Sequence, residues 1–249
     1  MKDLSKTTYD FLKAAFQEDL GRGDVTSRLL IPRLARGVAV VVARGRGIFC
    51  GCEAARAVFK FSDPSLALLW KIHDGQSYAS GQKLFEVKGN IQAVLAAERT
   101  ALNFLGRLSG IATLTREFVK RVSQYGVEIL DTRKTTPLWR KLEKYAVRTG
   151  GGKNHRMGLY DEIFIKENHR PFADFRRLQD QKGRFEIEVR NLKELRQALA
   201  WFPRVILFDN FSPSSLRRAV QEVRREKGRR IILEASGGVT PSTEVPKYA

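Results

Sequence analysis

The sequence contains few cysteines and histidines, and it lacks a long apolar run. Its two cysteines, Cys50 and Cys52, are one residue apart, which disfavours an unstrained disulfide, and the chain offers no second cysteine pair for a zinc site. We therefore predict that both thiols are unpaired and buried. Apolar runs such as Val38 to Ala43 are far shorter than the ~20 residues that cross a bilayer. Because the N-terminal residues also lack an apolar signal segment, we expect a cytoplasmic protein with no membrane partner.

Acidic residues are scarce relative to basic ones. Lys and Arg total 45 against 27 Asp and Glu, which gives a formal net charge of +18 over 249 residues. This excess fits nucleic-acid binding, capture of small polyanions, or a solvated basic surface such as the arginine-rich segment 217–230. A hydrophobic content of 43% excludes a disordered tail, and the length is enough to bury a core. The positions of the cations must decide between these interpretations.

Hydrophobic spacing changes near residue 126 and indicates two domains, 1–115 and 116–249. Before this point the pattern is mixed α and β. We expect helices at 7–19, 52–61 and 91–125, the last broken near 106–110, and strands at 37–43, 67–72 and 83–87. Afterwards strands and helices alternate, which predicts a parallel sheet, open or closed into a barrel. The predicted strands are 128–130, 162–165, 185–189, 205–208 and 231–233, and the helices are 139–149, 171–181, 191–201 and 213–226.

Each predicted strand of the second pattern is followed by polar residues or carries them near its end. Because the carboxyl ends of parallel strands meet at one edge, where β/α barrels place their chemistry, we expect these residues to form a site. Glu186 and Glu188 are two residues apart and so share one face of their strand. The other polar residues at these ends are Asp131, Thr132, Arg133, Lys134, Lys166, Asp209, Asn210, Glu234, Ser236, Gly237 and Gly238, with His155 and Arg156 nearby.

The residue types in this group indicate a phosphorylated sugar that reacts with an anionic acceptor. Arg133, Lys134 and Lys166 are cations suited to carboxylates and phosphates. Glu188 and Asp209 are able to hold a divalent metal, bind ribose hydroxyls or stabilise a developing sugar cation. The Ser236–Gly238 turn is able to cradle a phosphate with its backbone N–H groups, although a turn without a ligand is the commoner origin of a glycine pair.

Seven motifs occur in one order along the chain. They are EDLGRGDVT at 18–26, AERTALNF at 97–104, RLSGIAT at 107–113, DTRKTTP at 131–137, LEKYAVR at 142–148, NHR at 154–156 and EASGG at 234–238. With these motifs the chain closely resembles the quinolinate phosphoribosyltransferase family, the carboxylating nicotinate-nucleotide pyrophosphorylases of NAD biosynthesis. The resemblance extends from about residue 8 to the last residue.

The resemblance implies an N-terminal α/β sandwich domain and an incomplete, six-stranded α/β barrel, in a homodimer whose sites lie between subunits. It implies that quinolinate and phosphoribosyl pyrophosphate react, with Mg²⁺, to give nicotinate mononucleotide, pyrophosphate and CO₂. Relative to the family pattern the sequence stops at Ala249, before the last barrel strand, and we therefore expect that strand to be missing.

Motif by motif, the resemblance also implies roles for single residues. Arg99 reaches into the neighbouring subunit's site, and Lys134, Glu188 and Asp209 are the predicted catalytic residues. Glu188 and Asp209 face the ribose and the metal, and Ser236, Gly237 and Gly238 face the phosphate. The implied basic pocket for quinolinate and pyrophosphate consists of Thr132, Arg133, Lys134, His155, Arg156 and Lys166.

Two departures from the family pattern lie next to these motifs. Glu167 replaces an aspartate, and Leu138 replaces a glycine.

One alternative function is that of a same-fold homologue linked to molybdenum transport, with a different substrate. A second is a basic nucleic-acid-binding protein, whose affinity would fall steeply with salt. The intact NHR motif and Lys166 favour the quinolinate enzyme, and the absence of an aromatic-rich RNA motif or recognition helix disfavours nucleic acid.

Overall fold

The computed structural model describes residues 4–227 and 230–239, which form two compact units. The first unit takes in the described residues of Met1–Lys120 and Glu128–His155, and the second those of Arg121–Val127 and Arg156–Ala249. The domain boundary expected after residue 115 falls inside a helix that runs from Ile91 to Val122, and that boundary stays a prediction. None of the described helices has both the length and the apolar character that crossing a bilayer requires.

The first two helices of the first unit begin at residues whose side chains cap them. The Ser5 hydroxyl accepts a hydrogen bond from the Thr8 N–H at the start of the first helix, and Asp24 accepts from Thr26 and Ser27 at the start of the second. The helices with residues in this unit are α1 (Lys6–Leu20), α2 (Val25–Leu30), α3 (Cys52–Ser62), α4 (Ile91–Val122) and α5 (Arg140–Gly150).

The strands of the first unit form two antiparallel sheets. They are β1 (Arg36–Val42), β2 (Gly47–Ile48), β3 (Ala67–Trp70), β4 (Ser77–Tyr78) and β5 (Lys83–Asn90). The larger sheet has the order β1-β5-β3, and the smaller one pairs β2 with β4. On β5 the inward side chains of Phe85 and Val87 are fully buried with α1, α3 and α4, whereas Val40 and Leu69 lie on the exposed face. The predicted strands are confirmed, while β2 and β4 were not predicted.

Cys50 and Cys52 are both free and buried in this core, as predicted. Burial raises the pKa of Cys50 to about 12, and it also raises the pKa of Cys52 far above the ordinary value of a thiol. Because the thiolate is the reactive form, both side chains act as small apolar groups at neutral pH.

The second unit is built on a parallel sheet. Its strands β6 (Ile163–Ile165), β7 (Phe185–Val189), β8 (Val205–Asp209) and β9 (Ile232–Ser236) lie side by side in chain order. Helix α6 (Leu192–Ala200) connects β7 to β8, and α7 (Pro213–Lys227) follows β8. The predicted repeat of strands and helices is therefore confirmed for these elements.

Strand register gives this sheet one apolar and one charged face. Glu186 pairs with Val205, Glu188 with Leu207, and Leu207 with Glu234. Because paired residues on neighbouring strands point to the same side, the carboxylates of three strands share one face. We call the set Glu186, Glu188, Asp209, Glu234 and Ser236 the charged face. The opposite face packs against α6 and α7 through Ile165, Ile187, Val189, Ile206, Phe208 and Leu233.

Three predictions of local structure were wrong. Helix α4 continues through Gly106 and Gly110, because the buried residues between them pack into the core and outweigh the ~1 kcal/mol that each glycine costs. The predicted helix at 171–181 is replaced by two short 3-10 helices, Glu167–Phe172 and Phe175–Gln181, because the chain is extended at Ala173 and Asp174, where the Asp174 side chain accepts from the Arg176 N–H and starts the second one. The predicted strand at 128–130 is reduced to one bridge from Leu130 to Lys153.

The expectation that the last barrel strand is missing applies to the end of the chain. Residues 240–249 lie outside the described residues.

Candidate active site

Lys166 and Glu188 form an ion pair at the end of the parallel sheet. Lys166 directly follows β6, and its Nζ lies 3.7 Å from Glu188 Oε2 on β7. The ammonium group also lies 4.8 Å from the ring centroid of Phe164, within cation–π range. The Glu188 side chain is 11% exposed and that of Lys166 is 38% exposed. Two residues predicted to act together are thus adjacent, and each is open to solvent on one side.

The segment after Lys166 is fixed by two hydrogen bonds and an ion pair. The Lys166 N–H donates to His169 Nδ1 at 2.9 Å, and Arg170 donates to the backbone oxygen of Glu188 at 2.7 Å. Glu167, which departs from the family pattern, pairs with Arg190. These contacts hold the segment against the end of β7, so they orient Lys166 towards Glu188.

Arg156 is a second cation beside the ring of Phe164. Its guanidinium carbon is 4.9 Å from the Phe164 ring centroid, and Nη1 donates to the backbone oxygen of Glu162 at 3.0 Å. Arg156 is buried, whereas Lys166 is half-buried. Phe164 pairs in register with Glu186, so its ring lies on the charged face with two cations around it.

Asp209 and the Ser236–Gly238 turn form the end of the charged face. Asp209 Oδ1 accepts from Ser236 Oγ at 2.9 Å, and Oδ2 accepts from Asn210 Nδ2 at 3.0 Å. Gly237 has φ 93°, and a Cβ there would overlap the Asn210 side chain. Asn210 itself therefore explains why position 237 requires glycine. Gly238 also has a positive φ, but a Cβ there would meet open space, which leaves room for a ligand.

Three predicted residues of the first unit, Thr132, Arg133 and Lys134, lie in the 131–138 loop, between Leu130 and α5. The Lys134 N–H donates to Thr132 Oγ1 at 3.0 Å, which tightens the loop where both residues are exposed. Arg140 at the start of α5 donates to the backbone oxygen of Arg133 and to Thr135 Oγ1. A cavity of about 170 Å³ borders this loop. Its lining residues are Ile111, Asp131, Thr132, Lys134, Thr135, Glu143, Lys144 and Val147.

The far end of the same loop is held by α4 and α5. Arg107 on α4 donates through Nε to Glu143 Oε1 at 3.1 Å, and Glu143 Oε2 accepts from the Thr136 N–H at 3.3 Å. The Arg107 guanidinium also lies 5.0 Å from the ring of Trp139. Leu138 has φ 67°, a left-handed conformation that favours the glycine of the family pattern.

Lys144 is a functional candidate that the sequence analysis missed, while Asp131 and Glu186 were expected at the strand ends but were given no individual role. Lys144 is buried on α5 and pairs with Asp131, which also accepts from the His155 N–H at 2.9 Å. Glu186 is buried on the charged face. The sequence did indicate that Lys144 is unusual. It falls among the buried positions of an amphipathic helix, together with Leu142 and Ala146.

The predicted site residues divide between the two units. In the first unit Thr132 and Lys134 are in contact, and Arg99 is exposed on α4. In the second unit Lys166 contacts Glu188, and Asp209 contacts Ser236. The first unit holds Arg99, Thr132, Arg133, Lys134 and His155, and the second holds Arg156, Lys166, Glu188, Asp209, Ser236, Gly237 and Gly238. Their individual roles stay predictions.

Comparison with known proteins decides the family. The model described as quinolinate phosphoribosyl transferase, C-terminal domain, matches residues 111–249, and the corresponding N-terminal domain model matches residues 24–109. The chain belongs to the quinolinate phosphoribosyltransferase family. The resemblance in the seven motifs is therefore confirmed.

Relatives and solved structures agree with this assignment. A probable carboxylating nicotinate-nucleotide pyrophosphorylase of Bacillus subtilis is 39% identical over 233 residues, which cover 90% of this chain and 79% of the relative. A mitochondrial, decarboxylating quinolinate phosphoribosyltransferase of Nicotiana tabacum is 36% identical and covers 98% of this chain and 76% of its own length. The structure of the nicotinate-nucleotide pyrophosphorylase of Francisella tularensis has a TM-score of 0.88 and 36% identity, with 99% of this chain and 88% of that chain covered. The fold class, an N-terminal α/β domain followed by an α/β barrel-like domain, is confirmed.

Proposed function

We propose that this phosphoribosyltransferase transfers the phosphoribosyl group of phosphoribosyl pyrophosphate to quinolinate and decarboxylates the product. The reaction yields nicotinate mononucleotide, pyrophosphate and CO₂, a step in the synthesis of NAD. The proposal depends on one observation above all: a charged sheet face with Lys166 paired to Glu188, in a chain of this family. The names of the relatives support the same reaction.

Binding of the substrates requires fixed cations. Quinolinate is a dicarboxylate and pyrophosphate is polyanionic, so each needs several positive partners. The first unit offers Arg133 and Lys134 on the 131–138 loop, and the second offers Arg156 and Lys166 around Phe164. Arginine contributes a bidentate fork for a carboxylate, and lysine contributes a compact charge. This supply of cations supports capture of small polyanions as one reason for the basic composition.

Departure of pyrophosphate requires carboxylates near the sugar. As the bond from the ribose to pyrophosphate breaks, positive charge develops at the anomeric carbon. Glu188 and Asp209 lie on the charged face and supply negative charge that stabilises this centre. Hydrogen bonds from Ser236 and Asn210 hold the Asp209 carboxylate in place, so little reorganisation is needed at the moment of reaction.

Decarboxylation follows from the charge of the intermediate. Once the ring nitrogen of quinolinate has bonded to the ribose, the ring is cationic and accepts the electron pair of the adjacent carbon–carboxylate bond. CO₂ leaves, and a proton then takes its place on the ring carbon. Holding the intermediate among cations and away from water favours this step.

Magnesium is part of the proposal. Mg²⁺ prefers hard oxygen ligands, and the Glu188 and Asp209 carboxylates lie on one face of adjacent strands, so the residues present fit the ion. These two side chains would hold it. When bound with phosphoribosyl pyrophosphate, the ion neutralises charge on the pyrophosphate oxygens.

We also propose a homodimer whose sites use Arg99 of the neighbouring copy. Arg99 is exposed on α4, and the outer face of the β1-β5-β3 sheet exposes Val38, Val40 and Leu69. On this face the apolar side chains flank Glu86 and Lys88 of the central strand, and exposed apolar residues in such a mixed face support an interface between subunits. The cytoplasmic location stays a prediction.

The test is an assay with quinolinate, phosphoribosyl pyrophosphate and Mg²⁺ that follows nicotinate mononucleotide and CO₂. We expect both products in equal amounts, and we expect Glu188→Gln to abolish most of the turnover. Glu222→Gln is the matched control, because Glu222 forms an ion pair with Arg196 on the helical surface, away from the charged face. Product from nicotinate but none from quinolinate would contradict the proposal.

A further inference from the structure

The Asp131–Lys144 ion pair makes contacts that none of the proposed substrate steps uses. The Lys144 side chain is 1% exposed and that of Asp131 is 7% exposed, so both charges are withdrawn from water. A buried charge is tolerated only where its hydrogen-bonding groups are satisfied. The partners that satisfy this pair therefore indicate what the pair does.

Those partners are the backbone groups of His155. Lys144 Nζ donates to the His155 backbone oxygen at 2.7 Å, and Asp131 Oδ1 accepts from the His155 N–H at 2.9 Å. The two members of the ion pair thus hold the two backbone polar groups of one residue. These groups belong to the two peptide units on either side of the His155 Cα, so both units are held and the backbone of His155 has little freedom to rotate.

Asn154 extends this arrangement by one residue. With its side-chain nitrogen towards Asp131, it donates to Asp131 Oδ2 and to the backbone oxygen of Lys144, each at 2.9 Å. The Lys153 N–H donates to the backbone oxygen of Ile129 at 2.8 Å, which aligns the same segment beside the residues before Asp131. The segment 153–155 is therefore fixed by α5 and by the chain that leads into the 131–138 loop.

Asp131 and Lys144 also border the cavity that Thr132 and Lys134 line. Asp131 and Lys144 therefore line this cavity and also form hydrogen bonds with the backbone of His155. A shift of Lys144 would displace both.

We propose that Asp131 and Lys144 are positioning residues, which fix His155 relative to the Thr132–Lys134 cavity for binding of the quinolinate carboxylates. The inference rests on the proposed function. The pair acts through the backbone of His155, because its side chains are only 7% and 1% exposed and leave the substrate contacts to Thr132, Lys134 and His155.

The experiment compares two double variants of the full chain. Lys144→Met with Asp131→Leu removes the buried pair without leaving an unpaired charge, which preserves folding better than either single change. Lys153→Met with Glu128→Leu is the matched control, because it removes a neighbouring ion pair whose side chains are 62% and 58% exposed. Both variants are assayed for kcat and for KM of each substrate, and the exchange of the His155 amide hydrogen is followed by NMR.

We expect the buried-pair variant to raise KM for quinolinate about 10- to 100-fold, since a small misplacement of a binding group has effects of this size. KM for phosphoribosyl pyrophosphate changes less than about threefold, and the His155 amide exchanges faster; the control matches the wild type in all three. A folded buried-pair variant with wild-type KM for quinolinate and unchanged amide exchange overturns the inference.

The exchange measurement separates this inference from the proposed function. If the wild-type chain forms no product from quinolinate, the proposed reaction fails, while faster exchange of the His155 amide in the buried-pair variant still supports the positioning contact. If this double variant does not fold, Lys144→Met with Asp131→Asn provides the same test, because it also leaves no unpaired charge, removes the donor to the His155 backbone oxygen and keeps a polar side chain at position 131. Wild-type KM for quinolinate in that folded variant overturns the inference as well.

Discussion

Two lysine–carboxylate pairs, one in each unit, differ in burial and in their surroundings. Lys144 and Asp131 are almost fully buried, and their hydrogen bonds go to the backbone of His155 and to Asn154. Lys166 and Glu188 are 3.7 Å apart and partly exposed. The hydrogen bonds of the buried pair go to groups of the protein, whereas the Lys166–Glu188 pair is accessible to solvent. Similar side chains are thus enclosed in one unit and partly open in the other, as the proposed chemistry of Lys166 and Glu188 requires.

The buried pair is expected to have the largest effect on stability. Lys144→Ala leaves the Asp131 carboxylate buried without its cation, which lowers the free energy of unfolding by about 3–5 kcal/mol. Urea unfolding monitored by circular dichroism measures this change. Lys153→Ala in the exposed pair is the control, with an expected loss under about 1 kcal/mol. Equal losses of unfolding free energy in the two variants would show that burial does not determine how much each ion pair contributes to stability.

The Lys166–Glu188 pair is expected to have the largest effect on turnover. Glu188→Gln keeps the shape of the side chain but removes the negative charge beside the sugar, so kcat falls about 10²- to 10³-fold, or about 2.7–4 kcal/mol. The free energy of unfolding changes by less than about 1 kcal/mol, since Lys166 remains 38% exposed to water. Steady-state kinetics and urea unfolding test the two halves of this prediction. A variant with normal kcat would show that the charge takes no part in the reaction.

The 131–138 loop allows a smaller test within the first unit. Leu138 has φ 67° and is 80% exposed, so its side chain adds strain with little packing in return. Leu138→Gly raises the free energy of unfolding by about 0.5–1 kcal/mol, because glycine adopts this conformation without steric cost. Leu138→Ala keeps a Cβ and is the matched control, with no expected gain. Equal stabilisation by alanine and glycine would show that the backbone conformation is not the cause.

The smallest effect is expected at Glu167 beside Lys166. Glu167 pairs with Arg190, and both side chains are about half exposed, so Glu167→Asp changes the free energy of unfolding by less than about 0.5 kcal/mol. The value of kcat/KM stays within about twofold, because the backbone contacts of Lys166 and Glu188 remain. A tenfold loss of kcat/KM in the assay would show that the longer acid takes part in the site.

Much of the second unit was predictable because its hydrophobic pattern is local. Strands β7 and β8 and helices α6 and α7 agree with the prediction to within a residue or two. Capping residues such as Asn191, which accepts from the Glu194 N–H, act within a single turn of helix and are legible in the sequence. The polar strand ends were predictable for the same reason.

The predicted break in α4 was wrong because contacts distant in the sequence decide the structure there. Gly106 and Gly110 suggested a break, but burial of Leu108 and Ser109 keeps α4 continuous. Ser109 Oγ accepts from the Cys50 N–H, 59 residues away, and no local pattern encodes that contact. The burial of Lys144 likewise depends on Asp131, which lies outside its helix.

The sequence by itself determined the family, the alternation of strands and helices, and the residue types at the strand ends, because motifs and periodicity are properties of neighbouring residues. Tertiary structure alone decided which lysine is buried and which remains open to solvent. It also decided that Asn210 requires glycine at position 237. Burial and steric overlap depend on residues that folding brings together, so Lys144 and Lys166 cannot be distinguished until their surroundings are known.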